Sequence, residues 1–221
     1  MGSRMAELRN TKKKGEDIAF CHNRISKYIN KNEYSDLRKK LCGAIEEGAE
    51  RYKIKDIVLR GSAKKDLGRS NVLNEKYIVR FSDSDKNKAF LIKESAMGNK
   101  IKEVIEHISY ETAMRIVENS TKWLCSSTSP LIRELGVKMT TERLRPDAVI
   151  SYDRESFKID NRINVTADSC ITLCEYDAGN FELCSDCAEK DPVDGSICLL
   201  QINYERIIPE YLAWLIGIKS R

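Results

Sequence analysis

The sequence predicts an antiparallel α+β fold, and three observations carry that prediction. Strand-like runs follow one another through short turns instead of alternating with long helices, which argues against a doubly wound sheet. Most of these runs divide by residue parity into an apolar column and a column carrying polar or cationic groups. The chain has 221 residues with no internal repeat and no low-complexity linker, so one domain around one sizeable core is expected.

Taken in order, Met1-Gly2-Ser3-Arg4 reads as a cloning remnant. With the Lys12-Lys13-Lys14 run it makes residues 1–16 a charged tail ahead of a domain expected to span 17–221. Ile25 to Ile29 reads as a strand. Residues 33–50 read as a helix because Leu37, Leu41, Ala44 and Ile45 recur on one face. Residues 54–59 form a short strand, and Gly61 to Asn71, rich in Gly, Ser and Lys, a loop. Tyr77–Phe81, Phe90–Lys93 and Ile101–Ile108 follow as a meander, turned by residues 82–87 and by Met97-Gly98-Asn99. Ser109 suits the N-cap of a helix through Glu118, with Glu111 complementing the helix dipole. A short helix near Leu131–Leu135 precedes strands at 147–154, 162–168 and 197–204. Pro209 suits the N1 position of a last helix whose apolar stripe is Leu212, Leu215 and Ile216.

Lys and Arg number 38 against 34 Asp and Glu, a net charge of +4. That excess is too small to mark a nucleic-acid protein, so an anion site would have to come from local clustering. No run approaches the ~18 consecutive apolar residues of a membrane span, and no signal-peptide core opens the chain. A soluble, cytoplasmic protein is expected, and its eight cysteines should be reduced. Four of them, Cys170-x3-Cys174-x9-Cys184-x2-Cys187, have the number of thiolates a zinc site needs. Only the last pair has the spacing of zinc ribbons, and two strand cysteines plus two loop cysteines explain the pattern as simply, so zinc is not the expectation. A cysteine nucleophile is disfavoured too, because His22 and His107 are the only candidate bases and neither is paired locally with a cysteine.

The columns can be written out. Ile163, Val165 and Ala167 oppose Arg162, Asn164, Thr166 and Asp168. Cys198, Leu200, Ile202 and Tyr204 oppose Leu199, Gln201 and Asn203. Tyr77, Val79 and Phe81 oppose Ile78 and Arg80, while Phe90 and Ile92 oppose Leu91 and Lys93. Tyr152 and Arg154 share a column, and Lys102 stands opposite Ile101. Alternation of this kind fits a sheet with one core face and one wet face as well as it fits a polar barrel interior.

A longer series of motifs adds to that pattern. It runs from Arg24-Ile25-Ser26-Lys27-Tyr28-Ile29 ahead of a helix, through Lys76-Tyr77-Ile78-Val79-Arg80-Phe81 and Ala89-Phe90-Leu91-Ile92-Lys93, to Lys102 ahead of Ile108-Ser109. Leu144-Arg145-Pro146 then leads into 151–157, followed by 162–168 and Leu200-Gln201-Ile202-Asn203-Tyr204, with Pro209 and Trp214-Leu215 closing the series. In this order, over about residues 20 to 217, the chain resembles the VTC domain, the polyphosphate-polymerase module of the CYTH or triphosphate-tunnel superfamily. The resemblance implies an antiparallel tunnel barrel whose interior cations hold triphosphate or polyphosphate, with glutamates binding Mn2+ or Mg2+. It implies anion ligands at Lys27, Arg80, Lys93, Lys102, Arg154 and Arg162, with Tyr152 beside them. Charge-assisted bonds from Arg and Lys are the strong ones for phosphate.

The series departs from the family pattern where metal should bind. The Glu-x-Lys pairs fall at Ile25-x-Lys27, Leu91-x-Lys93 and Gln201-x-Asn203, and the first arginine of an Arg-x-Arg pair is Ile78. Gln201 offers a neutral oxygen, which hard divalent ions bind less well than a carboxylate. Asp168 and Glu106 are the candidates for a relocated metal ligand. The expectation is therefore a barrel that binds polyphosphate or a triphosphate with little turnover, as a sensor or as an accessory subunit beside an active relative. The alternatives are an active metal-dependent polyphosphate polymerase or triphosphatase, and a protein–protein module with Tyr211 and Trp214 on its contact face. No specific nucleic-acid partner and no membrane span are expected.

Overall fold

The computed structural model describes residues 18–45, 48–61, 74–83, 88–177 and 195–217. The charged tail, almost all of the loop expected at 61–71, and Cys184 and Cys187 lie outside the described residues. Strand β1 (Ile18–Asn30) leads into helix α1 (Lys31–Ala44) and strand β2 (Glu50–Arg60). Strands β3 (Asn74–Ser82), β4 (Lys88–Met97) and β5 (Lys100–Ser109) form the meander. Helix α2 (Tyr110–Val117), a 3-10 turn (Leu124–Ser126) and helix α3 (Pro130–Thr141) come next. Strands β6 (Arg145–Asp160), β7 (Ile163–Glu175) and β8 (Ile197–Tyr204) precede helix α4 (Glu210–Leu215).

The eight strands close into one barrel in the order β1-β5-β4-β3-β2-β6-β7-β8, and every neighbouring pair is antiparallel. Closure leaves no free sheet edge. The local signals are those read from the sequence. The Ser109 hydroxyl accepts from the Thr112 N–H to cap α2, and Gly98 turns the β4–β5 hairpin at φ 60°. Asn30 and Glu33 add a capping box to α1.

Two large clusters of the core lie outside the barrel wall, while Ile54, Val58, Ile78 and Ile92 are buried on its inner face. Helices α2 and α3 and the 3-10 turn cover one side, burying Ile57, Tyr77, Val79 and Leu91 against Ile116, Leu124, Leu135 and Met139. Helices α1 and α4 cover the other, burying Ile29, Phe157, Val165, Leu200 and Ile202 against Leu37, Leu41 and Leu212. With the apolar columns spent outward, the opposite columns must face the lumen.

Several boundaries differ from expectation. Strand β1 begins seven residues earlier than Ile25, because residues 18–23 pair with β5 although their own alternation is weak. Helix α1 ends at Ala44, α3 extends to Thr141, and β6 and β7 form one long hairpin. Pro209 is the N-cap of α4 rather than its N1 residue. Trp214, outside the apolar stripe of α4, is 79% exposed with the Lys40 ammonium 6.0 Å from its ring centre.

Gly136 lets α3 approach the 3-10 turn. A Cβ there would stand 2.6 Å from Leu124 Cβ and 3.0 Å from the Cys125 backbone nitrogen. Gly136→Ala returns about 1 kcal/mol of helix propensity. Overpacking against backbone costs about 1–3 kcal/mol, so the variant is expected to be less stable, with a lower urea midpoint at unchanged slope. An unchanged or raised midpoint would contradict this packing.

Candidate functional site

Register fixes which side chains share the lumen. His107, Phe90, Arg80, Asp56 and Ile150 succeed one another across β5, β4, β3, β2 and β6. Tyr52, Arg154, Asp168 and Leu199 do so across β2, β6, β7 and β8. A bulge assists the second set. Two residues of β7, Cys170 and Ile171, oppose Tyr152 of β6 alone, and Cys170 takes φ 52°. The bulge flips the parity of β7 beyond it, so that even-numbered Asp168 ahead of it faces inward with Arg154 while even-numbered Cys174 beyond it faces outward with Val149.

Among the described residues, three ion-paired arginine clusters line the lumen. The Arg80 guanidinium donates to both oxygens of Asp56 at 2.7 and 2.8 Å, and the Tyr152 hydroxyl donates to Asp56 Oδ2 at 2.9 Å. Arg80 Nη2 also reaches the Tyr152 oxygen at 3.1 Å. Arg154 grips Asp168 through both oxygens at 2.6 and 2.7 Å and lies 5.0 Å from the centre of the Tyr152 ring. Arg24 bridges Glu94 at 2.5 Å and Glu103 at 2.6 Å, and its Nε donates to Asn203 Oδ1 at 2.9 Å. Glu94 and Glu103 are direct cross-strand partners, where like charges repel, so Arg24 is the neutralising link. Neutral polar groups complete the wall: the Ser156 hydroxyl donates to Asn164, and the buried Thr166 Oγ1 has no hydrogen-bond partner among the described residues.

The clusters form one electrostatic system. Burial opposes the charge on Arg80, but Asp56 and more distant Glu103 outweigh it and hold the guanidinium above its ordinary pKa. Burial likewise works against ionised Asp56; Arg80, Tyr152 and Arg154 overcome it and keep the carboxyl below the usual range. Arg154 is raised because burial is outweighed by Asp168, while Arg80 pushes the other way. Tyr152 is raised by burial, so its hydroxyl stays a donor. Burial lowers His22 against the pull of Glu103.

Of the residues expected to bind polyanion, the structure brings Arg80, Tyr152 and Arg154 together in the lumen. Four others stand elsewhere. Lys27 shares the outward column of Ile25 and Ile29 on β1 and is exposed. Lys93 shares the outward column of Ala89 and Leu91 and pairs with Glu75 and Glu134 at 2.9 and 2.5 Å. Lys102 is exposed on the outer face of β5, and Arg162 is exposed in the β6–β7 turn. A shift of one residue moves a side chain to the other face of a sheet, and these lysines stand on the outer one.

Asp168 faces inward with both oxygens taken by Arg154, and Gln201 faces inward opposite Thr166 and Ser26. Glu106 is buried on the outer face against the Ser129 hydroxyl, so it does not serve the lumen. Cys170 sits in the β7 bulge and Cys174 on the outer face opposite Val149. Among the described residues no cluster of three His, Cys, Asp or Glu could hold a metal.

Sequence reasoning missed Arg24, Asp56, Glu94 and Glu103, so a lumen poor in carboxylates is not what the structure contains. The signals were present. His22-x-Arg24-x-Ser26 is the polar column opposite Ile25 and Ile29, and Asp56 interrupts the apolar run 54–59.

This closed eight-stranded antiparallel barrel with an ion-paired interior is of the triphosphate-tunnel type, and solved structures that share the fold include two adenylyl-cyclase candidates. One is an adenylyl-cyclase candidate from Hippeastrum, described as having a dominant triphosphatase activity. It has TM-score 0.53 and 11% identity, over 89% of this chain and 84% of that one. The other is an adenylate-cyclase candidate from Bacillus halodurans, with TM-score 0.50 and 10% identity, over 92% of this chain and 93% of that one. The VTC domain model matches residues 47–219, so the chain belongs to the VTC domain family. No curated protein matches it in sequence. Among the described residues no helix is long and apolar enough to cross a membrane.

Asp56 makes stability depend on pH in a stated direction. Its folded pKa lies below the unfolded value, so its contribution is complete above about pH 4 and fades as pH falls through the folded pKa. Asp56→Asn, which leaves Arg80 unpaired, should cost about 3–5 kcal/mol at pH 7. The gap between wild type and variant should narrow on acidification, as read by urea denaturation at pH 7 and pH 3.5. A gap that is constant or widens would contradict the pairing.

Proposed function

We propose that the barrel binds a triphosphate or polyphosphate chain along its lumen. The observation that carries this reading is the line of three inward guanidiniums, Arg24, Arg80 and Arg154, joined by Tyr152. Phosphate oxygens would replace carboxylate oxygens on these donors, exchanging one charge-assisted bond for another. VTC family membership and the triphosphatase activity described for the Hippeastrum protein support the choice of ligand.

In the three arginine clusters, Arg24, Arg80 and Arg154 stand with Asp56, Glu94, Glu103 and Asp168, so a bare polyanion meets carboxylates as well as cations. A divalent ion, Mg2+ or Mn2+, would offset the carboxylate charge. Side-by-side Glu94 and Glu103 fit such an ion, which is commonly held by one or two carboxylates plus substrate phosphates. Its chemistry there would be to neutralise charge on the phosphates.

Calorimetric titration with inorganic tripolyphosphate, with and without Mn2+, tests the reading. Micromolar binding is expected for wild type. The paired variant Arg154→Gln/Asp168→Asn removes both charges without stranding either, and should weaken binding roughly tenfold or more. Lys102→Gln, on the outer wall, should leave affinity unchanged. No binding under either condition would remove the proposal.

A second reading, metal-dependent turnover, is favoured by Glu94 and Glu103 and weakens the grounds for a silent accessory role. Phosphate release from tripolyphosphate or ATP with Mn2+, abolished by Glu103→Gln, would establish an enzyme. Tight binding without release would leave a sensor or accessory role.

A further inference from the structure

Two lysines that the sequence suggested for the lumen meet again outside it. Lys93 and Lys102 line a cavity of about 500 Å3 on the outer wall, together with Lys100. This volume falls within the roughly 300–1,000 Å3 of small-molecule sites. Register explains how it is built. Cys21 of β1, Lys102 of β5 and Ser95 of β4 lie abreast across three strands, with Val104 beside Lys93 and Met97 beside Lys100. The first turns of α3 roof one side through Leu131 and Glu134.

The cations of the cavity are not equivalent. Lys93 is satisfied by Glu75 and Glu134, of which Glu75 also pairs with Lys138 and Glu134 also accepts from the Tyr77 hydroxyl. Lys100 and Lys102 make no ion pair or side-chain hydrogen bond among the described residues. The cavity thus has an open cationic edge, an apolar lining from Met97, Val104 and Leu131, and a neutralised acidic end. We propose that it is a second ligand site, separate from the lumen, for a small amphipathic anion. The charged head lies between Lys100 and Lys102, and the apolar body lies against Met97, Val104 and Leu131. A polyphosphate does not suit it, since it has no apolar part and would extend toward Glu75 and Glu134.

Cys21 reports occupancy, because it is exposed within the cavity, whereas Cys125 is exposed outside it. Alkylation by iodoacetamide is followed at each cysteine by mass spectrometry, with 8-anilinonaphthalene-1-sulfonate as the probe anion. At a probe concentration nine times its Kd, nine-tenths occupancy slows Cys21 about tenfold. Cys125 should keep its rate, and inorganic tripolyphosphate should leave Cys21 unprotected. Lys100→Glu/Lys102→Glu should abolish the protection, and Lys100→Gln/Lys102→Gln gives the same readout with less perturbation. An unchanged Cys21 rate, slowing shared with Cys125, protection that survives both double variants, or equal protection by tripolyphosphate would each overturn the proposal. The lumen reading stands or falls separately, on calorimetry.

Discussion

A guanidinium ion inside a closed barrel has lost most of its water, and only neighbouring side chains or an entering ligand can replace it. The desolvation cost of such a charge is several kcal/mol, so an unpaired arginine there would not persist. Arg80 and Arg154 each meet this constraint with a bidentate aspartate, and Arg24 with two glutamates and an asparagine. Well-packed apolar side chains would stabilise the same barrel as effectively. What the ion pairs add is a set of strong donors that can change acceptor when an anion arrives.

That exchange is practicable because stability is supplied elsewhere. The helices pack on the outer wall in two separate cores, so most of the hydrophobic burden falls outside the lumen. Long β6 and β7, with the bulge at Cys170, place Arg154, Tyr152 and Asp168 within one stretch of wall. Rigid strands hold these side chains more closely than loops would. Ion pairs of the outer wall, such as Glu155 with Arg38 and Arg51, tie helix to strand and leave the lumen charges free to respond to ligand.

Much of this was legible in the sequence. Turn residues and alternation gave the meander, the caps at Ser109 and the inward column of β3, because those signals act over a few residues. Barrel closure came through the family resemblance, and the structure contains it. Parity was less legible. On β1 and β4 a lysine sits in an otherwise apolar column, and reading the cation as inward placed Lys27 and Lys93 on the wrong face. Their long stems suit an outward position, where Lys93 reaches Glu75 of β3 and Glu134 of α3. Glu94 and Glu103 were passed over because pairing across strands, which sets them side by side with Arg24 between, is absent from local pattern.

The central claim is that phosphates replace carboxylates on the three lumen arginines. Each of these residues donates its Nε–H inward, Arg24 to Asn203, Arg80 to Asp56 and Arg154 to Asp168. Side-chain 15N–1H spectra of these Nε groups, recorded while inorganic tripolyphosphate and Mg2+ are added, read the exchange directly. The account predicts that the three signals shift together with saturation while that of exposed Arg162 stays in place. Three stationary signals beside a shifting Arg162 would show that the anion is held on the surface, and would contradict it.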